Sequence, residues 1–305
     1  MARHPFCSDV CNLRGEPHAG TGDAPRRVLM LAWPRGKWRA PRWESVGMST
    51  ELAATLHKAA QAKLHVALVD KVEAEGSLPT LHALPENVYA DFSSEAELIE
   101  AMNNYLDGKV FEGKRDHRPT ILCCTDSRRD ACCARHGFST YKALVSHADP
   151  SRFNVVQATH LGGCRFAASL VVMPQRQRYG RMSAEHAADF LEAIGQGEVY
   201  LPTYKGRTDT PEAAQVAELA ALGWAADHGM KLGPVVISGA IPKAATDRDR
   251  LTLEADLSGT RLAVNLQARD FLVQGNCGIV AEGGGDITLR WCLDTITPQP
   301  ASGTY

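Results

Sequence analysis

The chain has 305 residues, 44% of them hydrophobic, with a formal net charge of -2 at pH 7 and a sequence pI near 6.6. That is enough apolar material for one large domain or two ordinary ones, and it argues against a disordered polypeptide. The balanced charge gives no global attraction to nucleic acid or to an anionic membrane. No run of about 18 apolar residues is present to span a bilayer, and the start, Met1 to Cys7, lacks the apolar stretch of a secretory signal. A cytoplasmic protein with a protein or small-molecule partner is expected. In a reducing compartment nine cysteines point to metal or redox chemistry rather than to a disulfide scaffold, and five of them fall between positions 123 and 164.

After an N-terminal extension (residues 1–25), the apolar run Val28-Leu29-Met30-Leu31-Ala32 predicts a strand, followed by a basic, Trp-rich loop from Trp33 to Trp43. Leu52, Leu56 and Ala59 recur at helical spacing, so residues 50–63 are expected to form a helix capped by Ser49 or Thr50. A strand over 65–72, another ending near Phe92 and a helix over 94–106 with Ser93 or Ser94 as cap follow. The order then repeats: strand 119–124, helix 139–147, strands 153–159, 166–173 and 179–182, helix 183–194. The two halves share a local grammar. Leu84-Pro85-Glu86-Asn87-Val88-Tyr89 stands before one helix much as Met173-Pro174-Gln175-Arg176-Gln177-Arg178-Tyr179 stands before the other.

The order β-α-β, β-β-α is that of a thioredoxin-like unit, with helices packed on a small mixed sheet. The expected fold class is therefore α/β, with two thioredoxin-like, ferredoxin-type units over 26–113 and 114–205 that a decayed duplication explains, only the second bearing the cysteine cluster. Residues 206–305 are expected to hold a helix over 211–228 and a β-rich C-terminal segment of short strands, with a frayed tail after Thr297.

Two motifs carry chemistry: Cys123-Cys124-Thr125-Asp126-Ser127-Arg128-Arg129-Asp130-Ala131-Cys132-Cys133 and His160-Leu161-Gly162-Gly163-Cys164-Arg165-Phe166. Both leave the C-terminal end of a predicted strand and enter a loop, where adjacent loops converge on one site. Neighbours on an extended chain point to opposite sides, so Cys123 and Cys124 are not expected both to bind; Cys124 is chosen as the one closer to the loop. The same holds loosely for Cys132 and Cys133, of which Cys133 is taken and Cys132 stays open as its replacement. His160 and Cys164 complete a four-ligand set, and Gly162-Gly163 allow a tight turn with amides free to face a bound anion. Burial as a small hydrophobe is the ordinary fate of an isolated cysteine, and it is the expectation for Cys277 and Cys292. Cys7 and Cys11 are read as incidental cysteines of a mobile end, with capping of the cluster or a regulated disulfide as the alternatives. Zinc is the chemical rival at the main site, but neither motif has the C-x2-C spacing usual for it.

The segment Cys124 to Cys133 with its internal Arg128-Arg129-Asp130, joined to His160-Leu161-Gly162-Gly163-Cys164-Arg165-Phe166-Ala167, resembles the sucrase/ferredoxin-like family, whose members are related to thioredoxin-like ferredoxins. Weaker similarity reaches Cys7 to Cys11 and Trp33 to Trp38. The resemblance implies a [2Fe–2S] cluster. Eukaryotic relatives read H-x-G-G-H in the second loop; this chain departs at Cys164, which implies a mixed cage of Cys124, Cys133, His160 and Cys164. It also implies an electron carrier or redox sensor that works with a redox partner protein; the balanced charge leads to no expectation of a nucleic-acid or membrane partner. No carboxylate pair suited to a glycosidase is identifiable. The rival readings are a thiol-disulfide oxidoreductase with Cys132 or Cys133 as nucleophile, and a zinc-stabilised binding protein. Arg128, Arg129 and Arg165 are candidate positive charges beside the cluster, His136 is an alternative ligand, His186 is expected to be solvated, and the Trp loop is expected to pack between the two units.

Overall fold

The computed structural model describes residues 6–25, 27–70, 79–246 and 249–300. Positions 1–5 of the N-terminal start, residues 71–72 of the second predicted strand and the tail beyond 300 lie outside them. A short helix, α1 (Cys7–Leu13), opens the chain. The first half then runs β1 (Val28–Ala32), α2 (Thr50–Gln61), β2 (His65–Asp70), β3 (Thr80–Leu84), β4 (Val88–Asp91) and α3 (Glu95–Leu106). Ser49 and Ser94 cap α2 and α3, their hydroxyls accepting from the Leu52 and Glu97 amides at 3.1 and 3.2 Å. This is the ordinary way to satisfy the orphan donors of a first turn.

A two-residue strand, β5 (Lys114–Arg115), leads to the second half: β6 (Thr120–Cys124), α4 (Phe138–His147), β7 (Asn154–Ala158), β8 (Leu170–Met173), β9 (Gln177–Tyr179) and α5 (Ala187–Gly195). With β10 (Tyr204–Arg207), the described strands form one sheet in the order β10-β9-β8-β6-β7-β2-β1-β3-β4-β5. The halves have the same register as well as the same order. Val28 to Ala32 pair in parallel with His65 to Val69, as Thr120 to Cys124 do with Asn154 to Ala158. Val28 faces Leu84 across an antiparallel pair, as Thr120 faces Met173. The halves join where β2 meets β7 antiparallel. Each β-hairpin begins with a cis proline, Pro85 or Pro174, and turns through a residue of positive φ, Asn87 or Arg176. By this register Ala32 occupies the place of Cys124.

The strands of the parallel pairs are mostly buried, and β1 and β6 in particular read as short, largely apolar runs. Trp38 is buried with Leu29, Leu52 and Leu56 in the core of the first half. The Trp loop thus packs on that half rather than between the two, and Arg35 reaches across, donating to the Thr125 carbonyl at 3.4 Å.

The C-terminal part holds α6 (Glu212–Asp227), β11 (Val236–Ser238), β12 (Arg250–Leu257), β13 (Thr260–Val273), α7 (Cys277–Ala281) and β14 (Asp286–Pro298), the strands forming an antiparallel sheet in sequence order. The expectation of short strands is corrected here: β13 has 14 residues and β14 has 13. Alternation is clear over one stretch, where Leu262, Val264, Leu266 and Ala268 of β13 are buried with Leu253, Ala255 and Leu257 of β12. One helix fills the space between the sheets. Ala213, Ala217, Ala221 and Ala225 of α6 are fully buried in the cluster that holds Tyr179 and Tyr204 of the large sheet and Trp291 of the small one. A helix packed on two sides needs small side chains for close approach, which accounts for its alanine content. None of the described helices is long and apolar enough to cross a membrane.

Candidate metal centre

The parallel strands β6 and β7 end side by side, and the loops leaving them meet. Cys123 and Cys124 part at this point, as the strand alternation predicts. Cys123 turns to the core beneath α4, where its thiol approaches the Gly137 carbonyl at 3.4 Å. Cys124 turns the other way, into a cluster with Cys133, Leu161 and Cys164.

Cys133 opens a single π turn, Cys133–Gly137, that leads into α4. Gly137 is needed there, because a Cβ on it would collide with the Cys124 carbonyl oxygen. On the second loop Gly162 and Gly163 both have positive φ, 89° and 67°, and fold the chain back so that Cys164 begins a 3-10 turn, Cys164–Phe166. Asp126 ties the loops together, accepting from the His160 amide at 3.0 Å and from the Arg128 amide at 3.1 Å.

The result is a closed circuit of donors. The Cys133 thiol hydrogen-bonds to Cys124 and Cys164, and His160 contacts both of the latter, its Nδ1 lying 3.4 Å from Cys164 Sγ. Cys124 is held well below the usual thiol range by the hydrogen bond from Cys133, against burial, with help from His160 and the Asp126 and Leu161 amides. Cys164 falls to about 6, chiefly through Cys133 and again against burial. Burial lowers His160, but the bonds to Cys124 and Cys164 outweigh it and raise the imidazole to about 9. Three buried thiols and one imidazole thus face one another. That is a donor set for a thiophilic metal centre.

The four residues selected from the sequence are thus brought together, and Cys132 is not among them. It turns away toward Cys7 and Cys277, with Sγ–Sγ distances of 3.4 and 3.3 Å. Two expectations are corrected by this. Cys7 is not on a mobile end: it lies buried in α1, which packs against the Cys164–Phe166 turn. Cys277 is buried as expected, but in the first turn of α7 and against other thiols rather than among hydrocarbon side chains. Cys11 bonds to Glu16 at 3.3 Å, and Cys292 is partly buried on β14. His136 lies 3.3 Å from the Ser8 hydroxyl, on the Cys132 side. His186 caps a turn by accepting from the Ser183 amide at 3.2 Å.

The charges around the site differ from those expected. Arg128 and Arg129 are solvent-exposed, and Arg165 is paired with Glu16 at 2.9 Å. The buried cation is Arg178, 1% exposed, which donates to the Gly162 carbonyl at 2.7 Å. Burial pushes the guanidinium below its usual range, opposed by Cys124, Asp23 and Cys164. Burial and the neighbouring guanidinium groups push Lys205, behind Gly163, well below its usual range. Arg178 sits in a short strand where its spacing gives no sign of burial; only its place after the Met173-Pro174 turn, facing the Gly-Gly loop, reveals it. His160 is the partly exposed member of the set and opens on a groove of about 540 Å³ lined by Arg42, Trp43, Lys63 and His65.

Comparison with known proteins bears on this site. Among curated proteins none matches. A thioredoxin-like [2Fe-2S] ferredoxin from Aquifex aeolicus is similar in structure at 17% identity, over 32% of this chain and 97% of its own, with a TM-score of 0.29. A cysteine-to-serine variant of that ferredoxin gives 18% identity, 28% and 96% coverage, and a TM-score of 0.26. The sucrase/ferredoxin-like family pattern matches residues 18–206, more than half of the sequence and a span that contains both loops of the site. The chain belongs to the sucrase/ferredoxin-like family.

Proposed function

We propose that this protein is an electron-transfer or redox-sensing protein that carries one [2Fe–2S] cluster on Cys124, Cys133, His160 and Cys164. The observation that carries the reading is the convergence of three buried thiols and one imidazole, a pair from each of two loops, at the ends of two parallel strands. The residues fit the group: thiolates with histidine substitution are an attested ligand chemistry for such clusters. When bound, the cluster supplies a one-electron couple. The chain's own residues supply the rest. Asp126 fixes the two loops relative to each other, Arg178 lowers the cost of negative charge at the thiolates, and the buried sulfurs are kept from solvent.

His160 marks the side from which a redox partner protein approaches, over the groove containing Arg42 and Lys63. The identical register of the halves supports an internal duplication, with units at 26–113 and 114–205, an extension at 1–25 and a β-rich segment at 206–305. Ala32 stands where the second half has Cys124, so the first half lacks that thiol.

Anaerobic purification followed by iron and acid-labile sulfide analysis tests the reading. About two irons and two sulfides per chain, with visible charge-transfer absorption, are expected. A colourless protein with zinc on Cys124 and Cys164, or with neither metal after reconstitution with iron and sulfide, would overturn it.

A further inference from the structure

A second group of donors stands apart from the four residues above. Cys7, Asp130, Cys132 and Cys277 are 1, 5, 0 and 5% exposed, and their ligand atoms all lie within 4.8 Å of one another. Cys132 Sγ is 3.4 Å from Cys7 Sγ and 3.3 Å from Cys277 Sγ, and Asp130 Oδ1 is 3.3 Å from Cys277 Sγ and 3.8 Å from Cys7 Sγ. The members come from three distant parts of the chain: α1, the loop after β6, and α7. Cys7 and Cys277 lie outside the 18–206 span of the family match.

Simple packing does not explain the group. A buried carboxylate needs a cation or a full set of donors. Asp130 is met by the Cys132 and Cys277 amides, at 2.8 and 2.9 Å, and beyond these by thiols. Four donors this close suit one tetrahedral ion, whose bonds of about 2.3 Å to sulfur and 2.0–2.2 Å to oxygen place ligand atoms about 3.5–3.8 Å apart. Three sulfurs exclude calcium and magnesium, which take oxygen ligands. The surroundings supply what a zinc–thiolate site needs further out: the Ser8 amide and hydroxyl approach Cys132 Sγ at 3.5 and 3.3 Å, and the Cys7 amide approaches Cys277 Sγ at 3.5 Å. Such donors offset the excess negative charge of three thiolates and a carboxylate around a divalent ion.

We propose that Cys7, Cys132, Cys277 and Asp130 bind a single tetrahedral ion of the zinc class, in a closed site that pins α1 and α7 onto the loop presenting Cys133. The three thiol protons leave to solvent as the ion binds. Such an ion joins the two ends of the described chain to its middle, with about 125 residues between Cys7 and Cys132 and about 145 between Cys132 and Cys277. Cys132 is the immediate neighbour of Cys133, and an Asp130 carboxylate oxygen also lies within 4.8 Å of Cys133 and Cys164 Sγ. The ion therefore sets the position of the first site. Its existence does not depend on what the first site holds.

The test is elemental analysis of the purified full chain together with zinc-edge X-ray absorption, on the parent, Cys277→Ser and Cys164→Ser. About one zinc per chain is expected, with three sulfurs and one lighter donor; Cys277→Ser should lose it at least tenfold, and Cys164→Ser should keep it. Parent protein that contains no zinc and takes none up under reducing conditions would overturn the proposal. So would zinc lost with Cys164→Ser and kept in Cys277→Ser, iron in place of zinc at this site, or a disulfide from Cys132 to Cys7 or Cys277 in peptide mass spectra. If Cys277→Ser does not fold, the absorption spectrum of the parent still decides between these outcomes. Iron content, measured in the same samples, reports separately on the cluster.

Discussion

Cys123 and Cys124 are adjacent, yet one faces the core beneath α4 and the other faces the site. Serine at the two positions should therefore behave differently. Cys124→Ser, Cys133→Ser and Cys164→Ser are each expected to lower bound iron about tenfold or more, while Cys123→Ser keeps it; iron analysis with visible absorption reads the difference. Normal iron in Cys133→Ser and loss in Cys132→Ser would exchange those two neighbours. Arg178 gives a second prediction at this scale. A buried positive charge near the thiolates favours the reduced, more negative state of a bound cluster. Arg178→Gln should lower the reduction potential by tens of millivolts at unchanged iron content, and Arg178→Lys should restore most of it. Equal potentials in all three would show that Arg178 only anchors the Gly162 carbonyl.

The elements place these residues through close approaches that leave little room for substitution. The π turn brings the start of α4 against the end of β6, and Gly137→Ala forces the two apart. A loss of about 1–3 kcal/mol in urea unfolding, with weaker retention of iron, is expected; a neutral substitution would mean the turn can shift freely. Helix α6 carries a pH-dependent element of stability. Burial raises Glu218 to about 7, opposed by Arg207 and by the hydrogen bond it accepts from Tyr204 at 3.3 Å. The folded value lies above the ordinary 4.5, so the folded chain holds this proton more tightly than the unfolded one. Its contribution is complete below about pH 4.5 and is lost as pH rises through 7. Glu218→Gln should gain stability relative to the parent between pH 5 and 8, and parallel pH profiles of the two proteins would contradict this.

At the scale of the whole molecule, most strands of the large sheet were legible in the sequence, as were the four residues that the structure brings together at the ends of β6 and β7. Runs such as Val28 to Ala32 and Thr120 to Cys124 are short, apolar and bounded by loops, and alternation alone separates Cys123 from Cys124. What it did not show depends on contacts between distant segments. Cys7, Cys132 and Cys277 have no spacing signature because each comes from a different part of the chain, and closeness to a terminus alone makes Cys7 look like part of a mobile end. Arg178 reads as an ordinary surface arginine until the Gly162 carbonyl is placed beside it. The long strands β13 and β14 were hidden by polar residues on their outer faces.

The mixed Cys and His cage is tested most directly by electron paramagnetic resonance of the reduced protein, with nitrogen couplings resolved by pulsed methods, on the parent and on His160→Cys. The parent should give the signal of a reduced [2Fe–2S] centre with one strongly coupled imidazole nitrogen, and His160→Cys should keep the signal without that coupling and at a lower potential. A reduced cluster in the parent with no strongly coupled nitrogen, or a coupling that survives in His160→Cys, would contradict the assignment of His160.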